Sequence, residues 1–285
     1  GPSRSVTMVF QGDSVYEHLS VEGNLSFPLT VGEEAPDRRG RVRRTARRFS
    51  LDRVLERTPD SLSVGQRRAV SAARATIRSD ITVALLDDPL VGADRHLRRR
   101  LLESIIADRS LTVVFSTREG DDTLRWADRV AVLAGGRIAQ EGVPIDVYRR
   151  PVSLEVAEMM GEINRIPATV SRREDALEVA GSRLAFDRGR RGPRPGERVV
   201  AGVRPSRLEV AGPGTPFSRR LRGTVGRIEP LGPGVRVLFG LGDRKGVGFS
   251  AVVGSASGLE VGDPVDWSVR PGSLRLYDPR SGRAL

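Results

Sequence analysis

The chain has 285 residues, of which 38% are hydrophobic and 29% charged, an ordinary composition for a globular protein with room for two domains. No apolar run is long enough to cross a bilayer, no signal-peptide pattern precedes Val6, and the lack of cysteine excludes disulfides and thiolate metal sites. The formal charge of +11 raises the hypothesis of nucleic acid binding, but 46 of the 47 basic residues are arginine, which indicates a codon preference instead.

The first region predicts an α/β arrangement. A helix is expected over residues 67–78, and short β-rich apolar runs at 82–86 and 111–115 resemble buried parallel strands. Between these runs, apolar residues recur at the three-to-four spacing of a helix: Leu97, Leu101, Leu102, Ile105 and Ile106. The order strand, helix, strand predicts a right-handed parallel crossover. A hairpin is expected next, with strands at 130–134 and 137–140 joined by Gly135 and Gly136.

The second region is rich in turns. Residues 1–160 hold 11 glycines and 7 prolines, whereas residues 161–285 hold 21 and 11, so the sequence predicts an α/β domain over 1–160 and an all-β domain over 161–285. A faint repeat relates residues 203–208 to residues 269–274, each copy being strand, Pro turn, strand. A small barrel of the oligonucleotide/oligosaccharide-binding (OB) kind and a β-sandwich both fit this pattern.

Two motifs contain residues suited to catalysis or ligand binding. A strand that ends in Asp87 and Asp88 places paired carboxylates at the carboxyl edge of a parallel sheet, where ligands bind in open α/β folds. Asp87 is then suited to hold a water on Mg²⁺, and Asp88 to orient an attacking water. Ser63 precedes the helix expected after residue 66, so it is a candidate for a γ-phosphate contact or for a simple helix cap.

In order and spacing, these motifs resemble the ATP-binding subunits of ABC importers of the sugar, polyamine and oxoanion type, and the likeness covers nearly the whole chain. The resemblance implies that Asp87 is the Walker B aspartate and a metal ligand, while Asp88 stands at the catalytic glutamate position. It also implies that Gln11 is the Q-loop glutamine, which approaches the metal and the attacking water. The remaining positions that the resemblance assigns to the nucleotide are the signature residues Ser63, Val64, Gly65 and Gln66, the D-loop Asp94, and Arg118 in place of the switch histidine.

The resemblance also implies an architecture and partners. We expect an incomplete P-loop NTPase (ABC) domain, with a parallel sheet and a helical subdomain, followed by an all-β OB-like regulatory domain. ATP and Mg²⁺ are the expected cofactors. The expected partners are a second ATP-binding subunit, transmembrane permease subunits and, indirectly, a substrate-binding protein, at the cytoplasmic face of the membrane; no nucleic acid is expected.

Departures from the family pattern predict impaired hydrolysis. A phosphate-binding loop requires Gly-x-x-x-x-Gly-Lys-Ser/Thr, yet the only lysine is Lys245, far downstream. Asp88 is one methylene shorter than glutamate, about 1.5 Å of reach, and displacements of that order cost about a hundredfold in rate. Arg118 cannot exchange a proton at neutral pH as histidine does, and Val64 replaces a signature glycine. We therefore expect this chain alone not to hydrolyse ATP and to complete a partner's nucleotide site through its signature motif.

Two alternative hypotheses stay open. In the first, the chain is a working ATPase from which residues upstream have been removed, because Gly1 and Pro2 are consistent with a protease scar as well as with a native truncation. In the second, an arginine-rich C-terminal barrel binds nucleic acid with a steep dependence on salt. The transported solute is not readable from these residues.

Overall fold

The computed structural model describes residues 5–10, 14–29, 35–88, 95–108, 110–172, 175–186, 192–242, 248–254 and 258–285. Contacts divide the chain into two compact units, the first ending at Arg118 and the second beginning at Glu119. We call these unit 1 and unit 2. The domain boundary predicted at residue 160 rests on a different criterion, because it separates an α/β region from an all-β region. That boundary stays a prediction.

Unit 1 contains a three-stranded parallel sheet in the order β1–β2–β3, built from β1 (Val6–Val9), β2 (Val83–Leu86) and β3 (Thr112–Phe115). Across the sheet, Met8 is level with Leu85, and Leu85 is level with Val114. The strands predicted at 82–86 and 111–115 are therefore confirmed to within one residue.

The described helices of unit 1 are α1 (Val21–Ser26), α2 (Ala35–Arg48), α3 (Val64–Thr76) and α4 (Arg95–Ile106). Helix α4 connects β2 to β3 and buries Leu101, Leu102 and Ile105, as its spacing predicts. Helix α1 begins at Ser20, whose hydroxyl accepts a hydrogen bond from the N–H of Gly23 and so satisfies one free donor of the first turn.

Unit 2 begins with α5 (Gly120–Trp126), the hairpin β4 (Val130–Ala134) and β5 (Arg137–Gly142), then α6 (Pro144–Arg149) and α7 (Leu154–Met159). The hairpin turn has positive φ angles at Gly135 (+56°) and Gly136 (+74°), as a type I′ turn requires, so the predicted hairpin is confirmed. Val132 of the hairpin packs with Val147 and Val156 of the two helices that follow.

The rest of unit 2 is all β, with two antiparallel five-stranded sheets in the orders β10–β14–β11–β12–β13 and β15–β9–β6–β7–β8. In chain order the strands are β6 (Asn164–Val170), β7 (Ala176–Val179), β8 (Ser182–Ala185), β9 (Arg198–Val203), β10 (Leu208–Val210), β11 (Arg220–Leu231), β12 (Gly234–Leu241), β13 (Phe249–Gly254), β14 (Pro264–Val269) and β15 (Arg275–Tyr277).

Both sheets contribute to one apolar core. Trp267 of β14 lies in its centre and stacks on Phe239 of β12 at 4.7 Å between ring centroids, and Val199 and Leu177 of the other sheet belong to the same cluster. The repeat predicted from sequence corresponds to β9, a turn at Pro205 and β10 in its first copy. In the second copy β14 leads through a Pro turn to β15.

Candidate functional site

The carboxyl edge of the parallel sheet brings three polar residues together. Asp87 and Asp88 follow β2, and Ser116 follows β3. The Ser116 hydroxyl donates to Oδ1 of Asp87 at 3.1 Å and accepts from the N–H of Asp88 at 2.7 Å. Because parallel strands end at the same edge of a sheet, the two aspartates are fixed by a residue from the neighbouring strand.

Asp88 has an unusual backbone conformation. Its φ is +39°, in the left-handed region that residues other than glycine rarely occupy and that costs about 1 kcal/mol or more. The Arg118 guanidinium lies beside it, with Nε 3.7 Å from Oδ2 of Asp88. The Arg118 side chain is 86% exposed, so water screens this ion pair and its contribution to stability is small. The structure thus brings Asp87, Asp88 and Arg118 together, as the resemblance implies.

The signature residues form the N-terminus of α3. Ser63 is the N-cap: its hydroxyl accepts from the N–H of Gln66 at 3.3 Å, while Oε1 of Gln66 accepts from the N–H of Ser63 at 3.0 Å. This reciprocal pair is a capping box, which stabilises a helix start by about 1 kcal/mol. Ser63 therefore caps α3, as one of its two interpretations predicts, and the nucleotide contact assigned to Ser63 and Gln66 stays a prediction.

The two residues between them have different environments. Val64 is the first residue of α3, is 60% exposed and does not have a positive φ, so its β-branched side chain fits the backbone here. A Cβ on Gly65 would lie 3.1 Å from Cδ2 of Leu97, closer than ordinary contact. Gly65 therefore allows α3 and α4 to approach each other, which is a packing reason for a glycine at this position.

Two of the predicted site residues, Gln11 and Asp94, lie outside the described residues. Conversely, sequence analysis missed Ser116. The signal was present, because a hydroxyl that directly follows the strand next to the one ending in Asp87 must lie at the same sheet edge.

A buried asparagine organises the segment between β1 and α2. Asn24 accepts from the N–H of Tyr16 at 2.8 Å, and its amide nitrogen donates to the carbonyls of Tyr16, Leu19 and Ser20. Tyr16 in turn packs against Phe27, with 4.7 Å between ring centroids, and the guanidinium of Arg74 stacks on Tyr16 at 4.3 Å. We call Tyr16, His18 and Phe27 the aromatic cluster. Its His18 and Phe27 are exposed.

The carboxylates fit a metal that retains water. Among the described residues there is no group of three or more His, Cys, Asp or Glu side chains able to enclose an ion. Mg²⁺ commonly takes one or two protein carboxylates and completes its shell with water and substrate phosphates. The exposed carboxylate of Asp87, oriented by Ser116, matches that requirement.

A parallel sheet with paired carboxylates at its carboxyl edge, together with a capped helix that starts a glycine-containing motif, is characteristic of nucleotide-binding α/β proteins. Two family profiles match the chain. The ABC transporter profile matches residues 2–91, and the TOBE domain profile matches residues 201–276.

Curated relatives cover nearly the entire chain. The sn-glycerol-3-phosphate import ATP-binding protein of Rhizobium johnstonii is 33% identical over 99% of this chain and 76% of its own length. The xylose/arabinose import ATP-binding protein of Haloferax volcanii is 33% identical over 99% of this chain and 75% of its own length. The sulfoquinovosyl glycerol transport ATP-binding protein of Agrobacterium fabrum is 34% identical over 99% of this chain and 79% of its own length.

The chain therefore belongs to the ABC transporter family, among the ATP-binding subunits of import systems. The predicted family and the predicted order of an α/β ABC domain followed by an all-β OB-like domain are confirmed. Over the part of the chain that the structure describes, no helix has the length and apolarity that a bilayer span requires.

Proposed function

We propose that this chain is a coupling subunit of an ABC importer that completes the nucleotide site of a second ATP-binding subunit and does not hydrolyse ATP by itself. It would work at the cytoplasmic face of the membrane, bound to permease subunits that receive solute from a substrate-binding protein. The observation that carries the proposal is the exposed signature motif at the N-terminus of α3, in a chain whose aspartate at the catalytic position departs from the hydrolytic pattern.

The signature end of α3 is suited to a phosphate supplied by another subunit. The first N–H groups of a helix have no intrahelical acceptor, and the helix dipole favours negative charge there. Ser63 and Val64 are exposed, so a second subunit has access to this end. Arg48, Arg100 and Glu103 line the groove next to Ser63, and Arg48 also pairs with Asp108, so the groove contains charges of both signs.

Two features disfavour hydrolysis by this chain alone. The side chain of Asp88 is shorter than that of glutamate, and its carboxylate faces the cationic Arg118. Arginine remains protonated at neutral pH, so Arg118 cannot exchange a proton with a reacting group.

Mg²⁺ and ATP would bind this chain at Asp87. Its carboxylate would be the protein ligand of Mg²⁺, and Ser116 would keep it oriented. When bound, Mg²⁺ neutralises charge on the phosphate oxygens of ATP.

The aromatic cluster of Tyr16, His18 and Phe27 is the surface that we assign to the permease subunits. Phe27 is half exposed, and Asn24 holds the loop through hydrogen bonds to Tyr16, Leu19 and Ser20. Exposed aromatic side chains on a rigid loop are typical of protein interfaces. For the solute, the relatives' names cover glycerol phosphate, pentoses and a sulfoquinovosyl glycerol, so we propose a carbohydrate or polyol derivative.

The test uses the chain alone and then the chain reconstituted with the ATP-binding and permease subunits of its import system. Alone, it should show neither Mg-ATP turnover nor tight Mg-ATP binding by calorimetry.

In the reconstituted system, Ser63→Asp should retain the helix cap, because aspartate is an equally good N-cap, but it should repel the partner's γ-phosphate. We expect unchanged stability and at least about a tenfold loss of transport, since charge-assisted contacts contribute about 1.5–3 kcal/mol. Ser61→Asp is the matched control.

Two outcomes would contradict the proposal. Wild-type transport by Ser63→Asp would show that the signature motif contacts no nucleotide. Turnover by the isolated chain would show that it is a complete ATPase, as would turnover by a longer version that is abolished by Asp88→Asn.

A further inference from the structure

Unit 2 contains a cleft of about 270 Å³ whose walls are dominated by arginine. Its lining includes five arginines, namely Arg149 and Arg150 at the end of α6, Arg204 after β9, Arg207, and Arg275 of β15. No aspartate or glutamate is among the described residues that line it. The cleft lies entirely within unit 2, so it is independent of the signature motif and of the paired carboxylates.

The positive charge of this cleft is not neutralised within the described residues. None of the five arginines forms an ion pair with a described carboxylate. Glu162, a nearby acid in sequence, accepts from the Ser250 hydroxyl and pairs with Arg236 instead. Cationic groups gathered without a counter-charge repel one another, so an anion bound among them is stabilised.

Arg204 makes the base of the cleft rigid. It is only 6% exposed, and its guanidinium donates to the carbonyls of Ala157 at 2.8 Å, Glu162 at 3.0 Å and Tyr148 at 3.3 Å while it stacks on the Tyr148 ring at 4.1 Å. These carbonyls satisfy its donors but carry no net charge. Burial lowers the pKa of Arg204, the direction expected for a cation that lacks a counter-charge.

Tyr277 supplies a second unusual group. Its side chain lines the cleft and is fully buried, yet its hydroxyl has no hydrogen-bond partner among the described residues. Buried polar groups in native proteins are nearly always hydrogen-bonded, so this hydroxyl requires a water or another group that the described residues do not supply. The ring fits here because residue 202 is glycine: a Cβ there would lie 2.7 Å from Cε2 of Tyr277.

We propose that this cleft binds a small phosphate-bearing anion, either inorganic phosphate or the phosphate group of a small phosphate monoester. Guanidinium groups match the planar pairs of oxygens that phosphate presents, and a buried phenolic hydroxyl adds a neutral donor. The cleft volume of about 270 Å³ is enough for a phosphate with a few additional atoms.

Calorimetric titration of the full chain tests this proposal, with inorganic phosphate and glycerol phosphate as separate probes at an ionic strength kept constant with chloride. Saturable binding of either probe supports the site, and the tighter probe identifies the source of the phosphate group. The double variant Arg149→Gln/Arg150→Gln should weaken binding by about tenfold or more, because each charge-assisted contact contributes substantially. Both side chains are exposed, and the hydrogen bonds described for the two residues use backbone atoms that the substitutions keep, so we expect the fold to be retained.

Two further variants separate binding from structure. Arg137→Gln removes one exposed charge of unit 2 away from the cleft and should leave binding unchanged. Tyr277→Phe keeps the ring and removes only the unpartnered hydroxyl, so it should weaken phosphate binding a few-fold without lowering the melting temperature. The proposal is overturned if Arg137→Gln weakens binding as much as the double variant. It is also overturned if neither probe binds while RNA or anionic vesicles do.

Discussion

The two β structures of the molecule differ in how completely they cover their apolar side chains. In unit 2, the inner faces of two sheets bury Trp267 and Phe239 completely. In unit 1, one face of the parallel sheet carries Met8 and Val114, which are 44% and 55% exposed. Parallel sheets are ordinarily covered on both faces, so the exposed Met8 and Val114 leave apolar surface of unit 1 open to contact. The β region of unit 2, in contrast, is stabilised by side chains that it buries itself.

Their polar groups differ in the same way. The aspartates of unit 1 lie at an accessible sheet edge, and Ser116 is the contact that positions them. Asn164 of unit 2 is buried and exchanges hydrogen bonds with the backbone of Ser250, joining β6 of one sheet to β13 of the other. Asp87 and Asp88 are placed where a ligand has access, whereas Asn164 specifies how the two sheets of unit 2 pack, so substitutions at these positions should have different consequences.

The largest effect is expected at the centre of the unit 2 core. Trp267→Ala removes a fully buried ring that stacks on Phe239, and it should lower the free energy of unfolding by about 3–5 kcal/mol. Urea denaturation measures the loss, and hydrogen exchange should assign it to unit 2. Phe217→Ala, at a side chain that is 81% exposed, is the control; equal losses for both variants would mean that the core does not hold unit 2 together.

Asn24→Ala should have the next largest effect, in unit 1. The change removes the side-chain partner of the Tyr16 N–H and of the Leu19 carbonyl, whereas the carbonyls of Tyr16 and Ser20 keep the backbone N–H groups of Leu19 and Asn24; the expected cost is about 2–3 kcal/mol. Hydrogen exchange should show the opening in the segment between β1 and α2 and leave unit 2 protected. Glu22→Gln, an exposed neighbour on α1, should be neutral, and unchanged exchange in Asn24→Ala would contradict the assigned role.

A pH dependence should distinguish unit 2 at the alkaline end. Burial raises the pKa of Tyr277 to about 12, above its ordinary value of 10. The unfolded chain therefore loses this proton more readily than the folded chain, so the contribution is intact below pH 10 and stability falls as the pH rises from 10 towards 12. Denaturation midpoints across that range should fall less steeply for Tyr277→Phe; identical slopes would exclude Tyr277 as the cause.

The smallest effect is expected at the sheet edge of unit 1. Arg118→Ala removes an ion pair whose cation is almost fully solvated, so the free energy of unfolding should change by less than about 0.5 kcal/mol. Thermal unfolding in low and high salt measures it. A loss above about 1 kcal/mol would indicate that Arg118 is a structural residue, not a replacement for a catalytic group.

Local pattern was sufficient for most elements. The spacing of Leu101, Leu102 and Ile105 predicts α4, and the pair Gly135 and Gly136 predicts its hairpin, because each depends on neighbours within a few residues. Local pattern was not sufficient for the second region, where a barrel and a sandwich fitted the sequence equally well. Strand alternation shows which side chains point inwards but not which strands pair.

Motif order and side-chain periodicity are properties of the chain, and they were enough to predict the family, the order of an α/β and an all-β region, and Asp87, Asp88 and Arg118 as candidate residues. Folding in three dimensions was needed to show that Ser116 joins Asp87 and Asp88, that Gly65 makes room for Leu97, and that Arg204 and Tyr277 line one cleft. These are contacts between residues far apart in the chain, and their distances are set by packing that no local pattern encodes.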